Sequence, residues 1–252
     1  YYSEGRSLKN LLTMNNSNIK KLPFVSLCVA SFNRKDIIIE ALSSSLNQNY
    51  PKKEFEVILI DNFSSDGTVE KVENIFFKEI NTLRLKILKL KHNTGTSGTY
   101  IEVMPYLNSK WEYMLKLDGD LVLEKNCLIE MINLSKKLKE PSMIGGKVYY
   151  YKERNKIHAI GSKLSPFFAI AKGVGVNKIE KNMYNSVMKI DALNGCMFLI
   201  PKIIYEKVGW FDNDYFLYYD DHEIMFKALK KGYNNYFCPT AIAYHDTLTG
   251  TK

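Results

Sequence analysis

Apolar positions follow two rhythms that alternate through the first half of the chain. Continuous apolar runs mark buried strands: FVSLCVAS at 24–31, FEVILID at 55–61 and WEYMLKLD at 111–118. RLKILKLK at 84–91 alternates instead, as a strand does with one exposed face. Between these runs the apolar residues fall at helical spacing. DIIIEALSSSLNQ at 36–48 places Ile37, Ile38, Ala41, Leu42 and Leu46 on one face, with Asp36 positioned to cap it and Asn49-Tyr50-Pro51 to end it. SSDGT opens a second helix carrying Val69, Val72 and Phe76, and the turn NTGTSGT leads into a short third. Strands alternating with helices in this way predict an α/β fold: a mostly parallel sheet flanked by helices, with right-handed crossovers.

The second half is less regular. A helix over 125–138 turns Leu128, Met131, Ile132 and Leu138 inward, and MIGGKVYYY at 143–151 reads as a strand. Residues 152–186 are rich in Gly, Lys and Asn without periodicity, which predicts a structureless functional loop. NGCMFLIP (194–201) is a buried strand. DDHEIMFKALKKGY (220–233) is a helix with Ile224, Met225, Ala228 and Leu229 inward and Gly232 closing it. NYFCPTAIAYH (235–245) is a last strand. Residues 1–22 are polar and read as a leader ahead of a single domain over 23–252.

Composition narrows the class. With 46% apolar and 25% charged residues among 252, this is an ordinary globular chain. Its 35 basic against 27 acidic residues give a net charge of +8, which favours anionic ligands or an anionic membrane face. Arginine is scarce and no nucleic-acid motif is present, so nucleic acid is not an expected partner. The four cysteines lie far apart with no C-x-x-C, so a zinc cluster is not expected; three of them sit in or beside apolar runs and read as small core residues, in a reducing compartment. No apolar stretch has the length of a membrane span and no signal peptide is visible. The start at Tyr1 suggests an excised piece of a longer protein.

In parallel sheets ligands bind beyond the C-terminal strand ends. Those ends here carry Ala30-Ser31-Phe32-Asn33, Asp61-Asn62, His92-Asn93 and Asp118-Gly119-Asp120. Clustered carboxylates repel and are costly to desolvate. Asp118 and Asp120 have two readings: ligands for Mg²⁺ or Mn²⁺ that neutralises a diphosphate, or a turn whose carboxylates bond local amides. Asp220 and Asp221 open a helix, where an acid can cap or act as a base. Trp210 and the aromatics Tyr215, Phe216, Tyr218 and Tyr219 read as a sugar-stacking surface or as core. His92 and His158 read as surface residues.

Taken in order, P-x-V-S-L-C-V-A-S-F-N-R (23–34), V-I-L-I-D-N-F-S-S-D-G-T (57–68), H-N-T-G-T-S-G (92–98) and L-K-L-D-G-D (115–120) resemble the family 2 glycosyltransferases of the GT-A fold. D-A-L-N-G-C-M-F-L-I (191–200) and G-W-F-D-N-D-Y-F-L-Y-Y-D-D-H-E-I (209–224) look most like the rhamnosyltransferase-like branch. The resemblance implies a nucleotide-binding half over 23–120 and an acceptor and catalytic half over 121–252. It implies donor contacts at Ala30, Ser31, Phe32, Asn33, Asp61, Asn93, Gly95, Gly98 and Asp118, with Asp61 on the base. It implies metal ligation by Asp118, Asp120 and His245, catalysis by Asp221 beside Asp220, and acceptor contacts at Gly195, Trp210 and Tyr218. Two departures are visible: Asp220-Asp221 stands where Glu-Asp is usual, and His222 where an apolar residue is usual.

The expectation is a metal-assisted, inverting glycosyltransferase. It would take a UDP- or dTDP-sugar and a glycan or lipid-linked acceptor, in the cytoplasm, with peripheral contact at the inner face of the membrane. Such a reaction needs a base for the acceptor hydroxyl and positive charge for the leaving diphosphate. The competing classes are a sugar nucleotidyltransferase, which normally carries glycine in the loop after the first strand where SFNRKD has none, and a non-catalytic carbohydrate-binding module, which needs no base.

Overall fold

The computed structural model describes residues 21–165 and 170–247, so all but the end of the expected 1–22 leader lies outside the described residues. The elements in chain order are β1 (Val25–Ser31), α1 (Ile38–Leu46), β2 (Phe55–Asp61), α2 (Thr68–Ile75), α3 (Phe77–Asn81), β3 (Leu85–Lys89), α4 (Gly95–Glu102), β4 (Tyr113–Asp118) and β5 (Leu121–Leu123). There follow α5 (Cys127–Lys137), β6 (Ser142–Tyr150), β7 (Ile157–Ala159), β8 (Gly161–Ser165), β9 (Ile170–Val174), β10 (Met188–Lys189), β11 (Ala192–Leu193), β12 (Met197–Pro201), α6 (Lys202–Val208), α7 (Asp220–Lys230) and β13 (Asn234–His245).

The continuous apolar runs became strands covered on both faces. In β1, Val25, Leu27 and Val29 join a core with α1 and α5, through Leu42 and Met131, while Cys28 faces a second core with α4 and α7, through Tyr100 and Ile224. Each such buried aliphatic side chain contributes about 1.5–3 kcal/mol of transfer free energy. The N-terminal half is parallel as expected: β1 lies between β2 and β4, and β3 follows β2. The C-terminal half is mixed. Strand β12 runs antiparallel to β4 and to β6, and β13 runs parallel to β6, giving the order β10-β13-β6-β12-β4-β1-β2-β3. Strand β4 is therefore the joint between the halves.

Three local expectations are corrected. Asp36 does not cap α1; Ile37 occupies that position without a side-chain cap, and the first turn is closed by the Ile38 N–H donating to Arg34 O at 3.0 Å. The Gly/Thr/Ser turn does not precede a helix but forms the first turns of α4. The stretch 152–186 is not structureless: β8 pairs with β9 and with β11 in a small antiparallel sheet, and β7 pairs with β6. Strands this short hold too few positions to show a period. An ion pair at 2.9 Å between buried Lys147 and partly exposed Glu180, with the Tyr149 hydroxyl donating to the same carboxylate oxygen, ties the segment to β6. Among the described residues no helix is long and apolar enough to cross a membrane.

Candidate active site

The registers align the polar strand ends. Ser31 stands opposite Asp61 and Ala30 opposite Asp118, so β1, β2 and β4 present these residues along one edge. Beyond it, two loops are stitched together. Asn33 has φ of 52°, in the left-handed region that Asn tolerates; its N–H donates to Ser64 Oγ and its Oδ1 accepts from the Ser65 N–H, both at 2.9 Å. Phe32 projects outward between them, 43% exposed. Asp61 Oδ2 accepts the Ser64 N–H at 3.0 Å, while its Oδ1 is buried without a partner. Such an orphaned acceptor suits a ligand N–H.

Asn62, which the sequence placed only as a strand end, organises the next turn. Its amide donates to Asn93 Oδ1 and accepts from the Thr94 N–H, and Asn93 Oδ1 also accepts from the Gly95 N–H at 2.9 Å. Gly95 and Gly98 have packing reasons. A Cβ on Gly95 would lie 2.1 Å from Phe216 O, and one on Gly98 would lie 2.5 Å from Thr94 Cβ. The Thr96 N–H donates to the same Phe216 carbonyl, so α4 holds the segment that leads into α7.

Asp118 ends β4 and is partly exposed. Gly119 lets the turn cross β1, since a Cβ there would meet Ala30 O at 2.7 Å. Asp120 is buried. Its Oδ2 lies 3.0 Å from Arg34 Nη2, and its Oδ1 lies 3.1 Å from His245 Nε2 without hydrogen-bond geometry. Burial would raise the Asp120 carboxyl, but His245 and Arg34 outweigh it and hold it below the ordinary value. Burial would lower His245, and Asp120 and Asp118 outweigh that too, so it stands above the ordinary imidazole value. One ligand atom each from Asp118, Asp120 and His245 falls within 4.8 Å of the others. Two carboxylates and an imidazole around an unsatisfied buried oxygen fit a divalent cation of the Mg²⁺ or Mn²⁺ class. In the structure the two carboxylates face Lys116, Arg34 and His245.

The residue that sequence reasoning missed is Lys116. It is fully buried in β4, on the face it shares with Met114. Its Nζ lies 2.9 Å from Asp118 Oδ1, donates to Gly195 O, and sits 4.9 Å from the centre of the Tyr100 ring. Burial disfavours its charge, but Asp118, Tyr100 and Asp220 outweigh that and hold the ammonium well above the ordinary lysine value. The signal available in the sequence was a lysine inside an otherwise apolar strand.

On the far side of Gly195 stands Asp221. A Cβ on Gly195 would lie 2.0 Å from Asp221 Oδ2, so only glycine admits the carboxylate. The other oxygen, Oδ1, accepts from the His222 N–H at 2.8 Å and lies 3.0 Å from His222 Nδ1. Burial would raise Asp221, but His222 and Lys116 outweigh it, and it titrates below the ordinary carboxyl value. Asp220 goes the other way: its buried Oδ2 has no hydrogen-bond partner, and burial, with Asp221 adding, raises it against the pull of Lys116. Neither acid caps the helix. Tyr219 holds the N-cap position, so Asp220 and Asp221 are the first two helical residues, near the positive end of the dipole. Tyr218 and Tyr219 both have left-handed φ, 67° and 66°, a strain on the order of 1–3 kcal/mol each. It is held by the Phe216–Thr96 bond on one side and by the Glu223 N–H donating to Tyr219 O on the other.

The remaining expected positions divide. Tyr218 is 67% exposed beside Asp220 and Asp221, in a run with Phe216, Leu217 and Tyr219. Trp210 donates from Nε1 to Tyr100 O at 2.8 Å and packs on Tyr205 and Phe211, lining a groove of about 500 Å³ with Met104 and Lys227. His92 is exposed as expected. His158 is half-buried: its ring meets His245 edge to face at 4.7 Å, and burial first, then His245, pushes it down to about 4. All four cysteines are free and buried.

A family model described as "Glycosyl transferase family 2" matches residues 26–199. The poly(ribitol-phosphate) beta-N-acetylglucosaminyltransferase TarS of Staphylococcus aureus (strain Mu50) is 35% identical over 103 residues, 41% of this chain and 17% of that protein. A poly-beta-1,6-N-acetyl-D-glucosamine synthase of Staphylococcus epidermidis is 26% identical over 205 residues, covering 81% of this chain and 46% of the relative. The chain thus spans less than half the length of both. Among solved structures, GalNAc-T7 with UDP, GalNAc and Mn²⁺ superposes with a TM-score of 0.73 at 15% identity, over 90% of this chain and 44% of that one, which shows the GT-A fold.

Proposed function

Because the chain belongs to glycosyl transferase family 2, we propose that it moves a sugar from a nucleotide-diphosphate donor to a glycan or lipid-linked acceptor, with inversion and with Asp221 as the base. The observation that carries this reading is the single ammonium of Lys116, which touches both Asp118 and the Gly195 carbonyl beneath Asp221. It links the donor side of the cleft to the base across one side chain.

The nucleoside lies along the ends of β1 and β2. Asp61 Oδ1, buried and unpartnered, accepts the N3–H of uracil or thymine, and Asn33 and Phe32 border the same edge. The structure of S. aureus TarS 1-349 in complex with UDP-GlcNAc, 20% identical over 90% of this chain, supports a uridine donor. Asp118, Asp120 and His245 would hold Mn²⁺ or Mg²⁺, which supplies positive charge for the leaving diphosphate. Asp221 uses the oxygen over Gly195 to take the acceptor proton. Its other oxygen is engaged by His222, which fixes the carboxylate plane. A base held this way contributes roughly 10²–10⁴-fold to rate.

The likeness to the rhamnosyltransferase-like branch rests on the motifs at 191–200 and 209–224. Exposed Tyr218 and Tyr219 beside the base give the acceptor a surface to stack on. The net charge of +8 supports peripheral contact with the inner face of a membrane carrying a lipid-linked acceptor. Neither the family match nor the relatives support a nucleotidyltransferase or a non-catalytic module. The test is release of UDP from UDP-N-acetylglucosamine with Mn²⁺ present, compared between the parent chain and Asp221→Asn. Release that is equal in both, or absent in the parent across uridine and thymidine diphosphate sugars, removes the reading.

A further inference from the structure

Next to the aspartate cluster, three donors of a different character converge. His158 on β7, Cys196 in the turn before β12 and His245 at the end of β13 bring one ligand atom each to within 4.8 Å of one another. They come from positions far apart in the sequence, so the spacing rules that argued against a zinc cluster could not see them.

The surroundings hold them in place. The turn at 194–196 is fixed to β7 by the Asn194 amide, which donates to Ala159 O and lies 3.4 Å from His158 Nδ1. The His158 ring also packs edge to face on Tyr150, at 5.1 Å. Cys196 is a free thiol, buried, with no disulfide partner. His245 turns Nε2 toward Asp120 and leaves Nδ1 buried with no hydrogen-bond partner.

We propose that His158, Cys196 and His245 form a second cation position for a borderline ion of the Zn²⁺ class, and that it shares His245 with the Asp118–Asp120–His245 position. The two donor sets differ in kind. Two carboxylates and one imidazole suit a hard ion, whereas a thiolate and two imidazoles suit zinc or cobalt. Zinc bonds of about 2.3 Å to sulfur and about 2.0 Å to nitrogen require the ligand atoms to close by roughly 1 Å from their widest separation, a rotamer-scale movement. On coordination Cys196 becomes a thiolate, its proton leaves to solvent, and the fourth tetrahedral position stays open to water. A neutral imidazole has one lone pair to give, so when His245 Nδ1 ligates the sulfur-bearing position, Nε2 keeps its proton and is lost to the other. Under the transfer reading above, zinc then inhibits by competing with Mn²⁺. The site itself does not depend on that reading.

The experiment is a Co²⁺ titration of the whole chain under reducing conditions, followed by absorbance. Thiolate coordination gives a sulfur-to-cobalt charge-transfer band in the near ultraviolet that oxygen and nitrogen ligands do not give. The parent should show the band, and Cys196→Ala and Cys196→Ser should lose it while keeping the circular dichroism of the parent. His158→Ala should bind Co²⁺ roughly tenfold or more weakly, since even outer-shell partners cost that much. Asp118→Asn should keep the band. No Co²⁺ binding, binding without the band, or a band that survives both Cys196 variants overturns the second position. Loss of the band in Asp118→Asn overturns it as well, by showing one merged site. None of these outcomes touches glycosyl transfer, which is read separately with donor and Mn²⁺.

Discussion

A side chain at position 195 cannot coexist with the Asp221 carboxylate where it now stands, since a Cβ on Gly195 would lie 2.0 Å from Asp221 Oδ2. Gly195→Ala should therefore leave the donor site alone and displace the base. A displacement of about 1 Å at a reacting group can cost on the order of 10²-fold. Transfer rate should fall by about that factor while the affinity for UDP with Mn²⁺, by calorimetry, stays within about threefold of the parent. A parallel loss of UDP affinity would show that the substitution disturbs more than the base.

The two neighbouring acids should separate on substitution. Asp221→Asn keeps shape and removes the basic lone pair, so transfer should drop roughly 10²–10⁴-fold with UDP binding retained. Asp220→Asn removes a buried carboxylate whose Oδ2 has no hydrogen-bond partner, so its melting temperature should hold or rise and transfer should persist. The reverse pattern in steady-state rates would exchange their roles.

Lys116→Met deletes one partner of an ion pair. Breaking a fully buried pair costs about 3–5 kcal/mol. Here Asp118 is partly open to water, so a loss below that range is expected in urea unfolding. The same variant should weaken Mn²⁺-dependent UDP binding, because Asp118 and the Gly195 turn lose their common anchor. Unchanged binding would confine Lys116 to a structural role.

Asp120→Asn should abolish the Mn²⁺ dependence of UDP binding. It leaves Arg34 and His245 facing a neutral amide, so some loss of melting temperature should accompany it. Titration calorimetry of UDP with and without Mn²⁺ is the check, and an undiminished Mn²⁺ effect would remove Asp120 from the metal site.

The Asp221–His222 pair has a predictable pH signature. The hydrogen bond that its ring donates to Asp221 raises His222 above its ordinary 6.5. A raised group stabilises fully below its unfolded value and loses that contribution as pH rises through the folded value. Asp221 is lowered, so its share is present above the unfolded carboxyl range and disappears as pH falls through its folded value. The gap in melting temperature between the parent and His222→Leu should thus be wider at about pH 5.5 than at about pH 9. A gap independent of pH would mean that the contact carries no charge.

Where apolar residues were continuous, the pattern was legible. Strands β1, β2 and β4 and helix α7 lie where their rhythm placed them, because both faces of each strand and one face of the helix are buried. The strand ends then pointed to Asp61, Asp118 and Asp120. What stayed hidden depends on contacts between distant segments. His158 reads as a polar surface residue until β7 and β13 bring it against His245. Arg34 looks like one more surface cation until it meets Asp120, and the mixed direction of β12 follows from pairing across the sheet rather than from any local pattern. Lys116 was misleading for the opposite reason: its strand is so apolar that one charge within it passed as an ordinary interruption.

The position of β13 carries a consequence for the order in which this chain becomes competent. It pairs with β5 and β6, and its last residue, His245, stands opposite Leu121, directly after the aspartate turn. A nascent chain emerging from the ribosome carries β1 to β4, and with them Ser31, Asp61 and Asp118, long before residue 245 has been made. Until β13 docks, Asp120 lacks its imidazole neighbour. The aspartate turn therefore gains its imidazole only when a distant downstream segment has docked on β5 and β6.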